Sequence, residues 1–150
     1  MNVAVVPSTH EHIDLILACC REREREAYEK IGHYEAQAHL IDALARAAEA
    51  WTGFVDDEIV CMWGIDRASI LCPSAFVWLL TADSIRQHPF VFVRHSQIRL
   101  AELRKRYHYI HGVVDASNTV SVKWLSWLGF QFSDVEFVNG YSIKRFSMVC

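Results

Sequence analysis

Residues 113–132 read VVDASNTVSVKWLSWLGFQF, and this stretch restricts the fold more than any other. A β-branched run meets an Asp-x-Ser-Asn turn, then about three turns of helix-compatible sequence, then Leu-Gly-Phe. Asn118 is placed to cap the helix, and Gly129 supplies the left-handed residue that ends it. Ser121 is small enough for the helix to lie close to a sheet, and Phe130 starts a returning strand inside a core. A strand, a short helix and a second strand in such tight succession demand a layered fold of helices on a sheet.

The rest of the chain supplies the remaining layers. Val3–Val6 reads as a first strand stopped by Pro7, and Ser8 or Thr9 can cap a following helix that carries Ile13, Leu17, Cys20 and Tyr28 on one side. That helix continues through REREREAYEK (21–30), a charged run that the pairs Glu22–Arg25, Arg23–Glu26 and Glu26–Lys30 can hold in water, and Gly32 ends it. A second helix is expected from about Tyr34 to Ala50, with Leu40, Leu44, Ala47, Ala48 and Trp51 facing the core. WTGFV, the turn Asp56-Asp57-Glu58 and IVCMWGI form a hairpin. Ala75–Ala82 has the continuous apolar character of a strand covered on both faces, with Asp83 and Ser84 as turn or cap residues. A third helix runs from Pro89 to about Tyr107, and Tyr109–Val114 is the next strand. After the opening segment, FQFSDVEFV and YSIKRFSMV pair across Asn139-Gly140. The unit from 75 to 114 is expected to be a parallel crossover and the flanking hairpins antiparallel. The expectation is one α/β (α+β) domain over residues 1–150, with a mixed sheet of six or seven strands and helices on both faces.

Composition limits the function classes. Half the 150 residues are apolar (52%), enough for a core without metal or disulfide staples. The net charge of −3 gives no general attraction to nucleic acid, and the cluster Arg94, Arg99, Arg104, Lys105 and Arg106 reads first as a solvated helix face. Five cysteines with no CxxC spacing fit small buried residues or free thiols in a reducing compartment, not a disulfide framework. No segment has the length of a membrane span or the pattern of a signal peptide. The eight histidines show no metal-ligand spacing, and His108 and His111 are expected on opposite sides of a strand. Trp124 and Trp127 share one side of the short helix and read as core, with exposure of one as an interface anchor as the other reading. Asp115 and Asn118 sit where open α/β sheets bind ligands, but capping accounts for both residue types.

Asn118, Ser121 and Gly129-Phe130 resemble, at matching intervals, the N-x-x-A-x-x-x-Y-x-x-x-G-F motif of Gcn5-related N-acetyltransferases. The resemblance implies that family's fold and an acetyl-coenzyme A site. Two departures stand against the activity. The position of the family's Tyr, which protonates the leaving thiolate, is Leu125. The R/Q-x-x-G-x-G/A loop that wraps the cofactor's pyrophosphate corresponds to LTADSIRQHPFVFVRHS, which has Arg86-Gln87 but no glycine, and Pro89 lacks an N–H.

WLLTAD (78–83), FVRHS (92–96) and the 113–130 block, preceded by WTGFV and VCMWGI, also resemble the small internal virion proteins of podoviruses, which look like degenerate relatives of that fold. That resemblance implies a non-catalytic role in virion assembly or genome delivery, with no cofactor and with other phage virion proteins as partners, in the infected host's cytoplasm and the virion interior. The alternative it leaves is an acyl-coenzyme A-dependent N-acyltransferase with an atypical site. There the cofactor would lie between the fourth and fifth strands along Asn118 and Ser121, with Asp83 as a base acting through water. Oligomeric state stays open.

Overall fold

The computed structural model describes residues 2–20, 33–66, 74–138 and 140–150. The charged run 21–30, together with Gly32, Cys72 and Asn139, lies outside these residues. The described chain forms two compact units, residues 1–67 with 78–89, and 68–77 with 90–150.

The first unit begins with β1 (Val3–Pro7) and α1 (His10–Cys19). Thr9 caps α1 with a reciprocal pair of bonds. Its hydroxyl accepts from the His12 N–H at 3.4 Å, and its own N–H donates to His12 Nδ1 at 3.1 Å. Next come α2 (His33–Arg46), β2 (Ala47–Val55), β3 (Glu58–Asp66), the second half of β4 (Ser74–Thr81) and a 3-10 helix (Asp83–Gln87). The strand order is β1-β2-β3-β4, with β1-β2 and β2-β3 antiparallel. Ile13, Ile16 and Leu17 of α1 and Ala36 and Leu40 of α2 close over Ile59, Met62, Leu80 and Ala82. Each large aliphatic side chain buried this way contributes about 1.5–3 kcal/mol.

Two expectations are corrected here. The second helix stops at Arg46, and Ala47, Ala48 and Trp51 belong to a strand. Alanine's helix preference amounts to tenths of a kcal/mol per residue. It yields to a two-sided ladder in which Ala47 faces Asp66, Ala50 faces Gly64, and Trp51 is paired with both Trp63 and Pro7. The hairpin turn is two residues long, because Glu58 already pairs with Val55. Asp56 and Asp57 take φ of +49° and +65°, the left-handed pair that fits the twist of a two-residue hairpin.

The second unit contains the first half of β4, then α3 (Pro89–Arg106, all but Pro89), β5 (Tyr109–Asp115), α4 (Thr119–Trp127), β6 (Gln131–Phe132), β7 (Glu136–Val138) and β8 (Tyr141–Val149). Here the order is β4-β5-β8-β6, with β7 also on β8. β4 and β5 are parallel, as a crossover through α3 requires, and the β8 pairings are antiparallel. The fold is therefore mixed α/β, with a mixed eight-stranded sheet. The extra strand arises because the expected run FQFSDVEFV breaks at Ser133–Val135. There the Arg145 N–H donates to the Ser133 hydroxyl, at 3.0 Å, in place of a strand carbonyl.

Ala75, Ile110, Phe146 and Met148 make the buried face of this unit, with Leu103 of α3 and Leu125 of α4 also buried. Gly112 is required where it stands. A Cβ there would run into the Phe146 ring and come within 2.8 Å of the Val77 carbonyl oxygen.

Candidate functional site

The most structured candidate is the corner after β5. Ala116 N–H bonds the Ser142 carbonyl at 3.0 Å, which fixes the exit from the strand. Ser117 donates both its N–H, at 2.9 Å, and its hydroxyl to Asp115 Oδ1, so this carboxylate organises the turn. Asn118 Oδ1 then accepts the Ser121 N–H at 3.2 Å and caps α4. At the other end, Gly129 N–H bonds Ser126 O and Phe130 N–H bonds Leu125 O, with Gly129 at φ +101°. Phe130 enters the core with its ring edge-on to Phe146, centroids 5.0 Å apart. The expected strand–short helix–strand corner is present in every part.

Its side chains are less favourable to acetyl transfer. Leu125 is 5% exposed and is core, not the wall of a site. Asn118 and Ser121 come together, but through a helix cap, with the Asn118 amide oxygen committed to the backbone. Trp124 is half-buried and packs on Phe92 at 4.8 Å. Trp127 is 58% exposed, which corrects its reading as core and favours the other one. Nine residues of helix present too narrow a buried stripe to cover both indoles.

The segment after β4 belongs to the first unit. The sequence predicts a turn there with Asp83 and Ser84 as turn or cap residues; the segment is a 3-10 helix, and Ala82 stands at its N-cap without a side-chain bond. Ser84 is buried and donates to the Ile59 carbonyl at 2.7 Å, and Ile85 is buried beside it. Asp83, Arg86 and Gln87 are exposed. A pyrophosphate cradle needs a run of backbone N–H groups that nothing covers. Here Ile85 and His88 already give theirs to Ala82 and Ile85 carbonyls, and Pro89 has none. These residues do not fit the phosphate end of coenzyme A.

One feature of the second unit does suit an extended ligand. β8 pairs with β5 along all of Tyr109–Asp115, whereas β4 pairs with it only along Tyr109–His111. Among the described residues, β5 beyond His111 thus has strand pairing on one side only.

Two imidazoles are held below their usual pKa of 6.5. Burial is the main cause for His12, opposed by the Glu11 carboxylate, and burial alone lowers His111. The Cys61 thiol is pushed up to about 11 by burial, so it is no nucleophile. Among the described residues no group of three or more His, Cys, Asp or Glu side chains could hold a metal ion, and no helix is long and apolar enough to cross a membrane.

A scan against protein-family models and a search of curated proteins gave no match. Solved structures do match over nearly the whole chain. RimL, a ribosomal alpha-N-protein acetyltransferase solved with coenzyme A, is 11% identical with a TM-score of 0.70, covering 99% of this chain and 94% of its own. A spermidine N-acetyltransferase chimera of Vibrio cholerae SpeG and hSSAT is 15% identical with a TM-score of 0.71, covering 99% and 96%. A Bacillus subtilis acetyltransferase, also solved with coenzyme A, is 12% identical with a TM-score of 0.64, covering 99% and 98%. At such identities the likeness is one of architecture, and the chain has the fold of the Gcn5-related N-acetyltransferases.

Proposed function

We propose that this protein is an acetyltransferase-fold scaffold that does not transfer acetyl groups and acts through contacts with other proteins, in the assembly or genome delivery of a short-tailed phage. The observation that carries the first part is Leu125, buried at the position that the motif resemblance gives to the family's proton-donating Tyr. A buried isobutyl group can neither donate a proton nor admit a thiolate. The filled 3-10 segment, with Ser84 and Ile85 turned inward, points the same way. Contacts with proteins are supported by large apolar side chains left in water, Phe90 at 88%, Phe137 at 79% and Trp127 at 58% exposure. The phage setting, with virion proteins as partners and the infected host and particle as location, is supported by the likeness of residues 78–83, 92–96 and 113–130. A single domain over residues 1–150 is supported by alignments that run through both units.

The second reading is an acyl-coenzyme A-dependent N-acyltransferase, with Asn118 and Ser121 at the cofactor and Asp83 as base. It is favoured by the part-paired β5, whose backbone from Gly112 to Val114 pairs with β8 but not with β4 and could bond the amides of an extended cofactor arm. Calorimetric titration with acetyl-coenzyme A and with coenzyme A separates the two. The scaffold reading expects no heat at millimolar ligand from protein shown by circular dichroism to be folded. Saturable micromolar binding of both ligands would replace it with the enzyme.

A further inference from the structure

The chain's net charge of −3 conceals a division. The first unit has fourteen carboxylates against seven Lys and Arg, a net −7; the second has eight Lys and Arg against four carboxylates, a net +4. The second unit, with its net positive charge, also carries a sheet face that its own helices leave open.

Strand register sorts this sheet into two faces. Ile110, Phe146 and Met148 point into the core. The alternate residues point the other way: Tyr109 opposite Val149, His111 opposite Ser147, and Val113 opposite Arg145, with Phe76 on β4 beside His111. This second face is open to water, with Tyr109 and Val113 each 40% exposed and Val149 81% exposed. Three of its rings form a continuous row. Tyr109 stacks on His111 with centroids at 5.1 Å and 24° between planes, and His111 meets Phe76 at 5.4 Å and 73°. The face's own charge is balanced, because Arg145 is bonded to Glu136 at 2.8 Å. The cations closest to it in the chain lie just before β5. Arg104, Lys105 and Arg106 end α3 in water, and the chain needs only five residues, at most about 18 Å, to pass from Arg104 to Tyr109. Arg106 also lies over the Tyr107 ring, 5.7 Å from its centroid.

Planar rings on an open sheet, in a unit of net positive charge with exposed cations a few residues before β5, suit unpaired bases and their phosphates. The geometry points to this face as a binding surface for single-stranded nucleic acid. Bases stack on Tyr109, at the exposed end of the row, while phosphates meet Arg104, Lys105 and Arg106. Duplex is a poor fit, because its bases already stack on each other and leave no ring face for Tyr109. The inference does not depend on whether the fold retains acetyl transfer.

The test is fluorescence anisotropy with labelled oligothymidylate and oligouridylate of about fifteen nucleotides, and with a duplex of equal length, over a range of salt. Single strands should bind more tightly than duplex. Tyr109→Ala should weaken them at least about fivefold. Lys105→Glu, on an exposed helix end where folding is not at stake, should flatten the salt dependence by about 0.7 or more in log–log slope. A difference between the two oligonucleotides would assign DNA or RNA. No single-strand binding at low salt by folded protein overturns the inference. So does binding that ignores Tyr109→Ala, or equal affinity for duplex, since either leaves only charge attraction. A dimer in solution that Tyr109→Ala dissociates also overturns it, by giving the face to a second copy of the chain.

Discussion

His12 shows how one side chain can tie local structure to pH. Its Nδ1 accepts the Thr9 N–H only while the ring is neutral, and burial keeps its pKa below the usual 6.5. The unfolded chain therefore takes up the proton first as pH falls. Stability contributed by neutral His12 is whole above about pH 6.5 and is lost as pH drops toward the folded value; His111 adds a change of the same sign. His12→Gln keeps a side chain that can reach the Thr9 N–H but does not titrate. Thermal melts between about pH 5 and 8 should show a shallower decline for this variant; an unchanged decline would place the titration elsewhere. Asn118 gives a second prediction at this scale. Loss of its bond to the Ser121 N–H should make Asn118→Ala about 1 kcal/mol less stable by urea unfolding, while Asn118→Asp stays near the parent. A parent-like Asn118→Ala would mean that water replaces the cap without cost.

Among the elements, the two ends of the corner after β5 depend on glycine for different reasons. Gly129 needs its positive φ but has room for a methyl group, the nearest atom being Met148 Cε at 3.4 Å. Gly112 has ordinary strand geometry but no room beside Phe146. Both alanine variants should lose stability, by about 1–2 kcal/mol at Gly129 and about 1–3 kcal/mol at Gly112. Adding Phe146→Leu should restore part of the loss at Gly112 and none at Gly129. Equal rescue of both would show that the distinction is wrong. Elements with local signals were legible in the sequence: a cap at Ser8 or Thr9, which is Thr9, a cap at Asn118, a helix end at Gly129 and a strand from Tyr109. What escaped depended on distant partners. Ala47–Ala50 reads as helix until β3 and β1 are beside it, and the break at Ser133–Val135 exists because of Arg145 across the ladder. The candidate site followed the same rule, since Asn118 was legible as a cap. The ring row on β4 and β5 joins residues more than thirty apart in the chain and left no local trace.

For the whole molecule, the proposed separation of fold from acetyl transfer turns on one position. If a tyrosine alone made the difference, Leu125→Tyr would recover the enzyme. Leu125 is enclosed, so a larger polar group there should cost about 1–3 kcal/mol and still show no acetyl-coenzyme A binding by calorimetry. Recovery of saturable binding in this variant would show that the rest of the cofactor site had been present throughout. The architecture itself could be expected from the order of elements, but its use could not, because many activities share one architecture.

The interruption between β6 and β7 also bears on what this edge of the sheet offers to other chains. A straight strand from Gln131 to Val138 would expose an eight-residue hydrogen-bonding edge carrying Phe132, Val135, Phe137 and Val138, the kind of edge on which other chains stack into aggregates. Ser133–Val135 divides it into pieces of two and three residues, with Asp134 and Glu136 adding charge. Deleting one residue of that break should raise light scattering on concentration even if the monomer still folds, and clear solutions would argue against the idea. Three residues that interrupt the sheet thus act as a stop against growth into fibres.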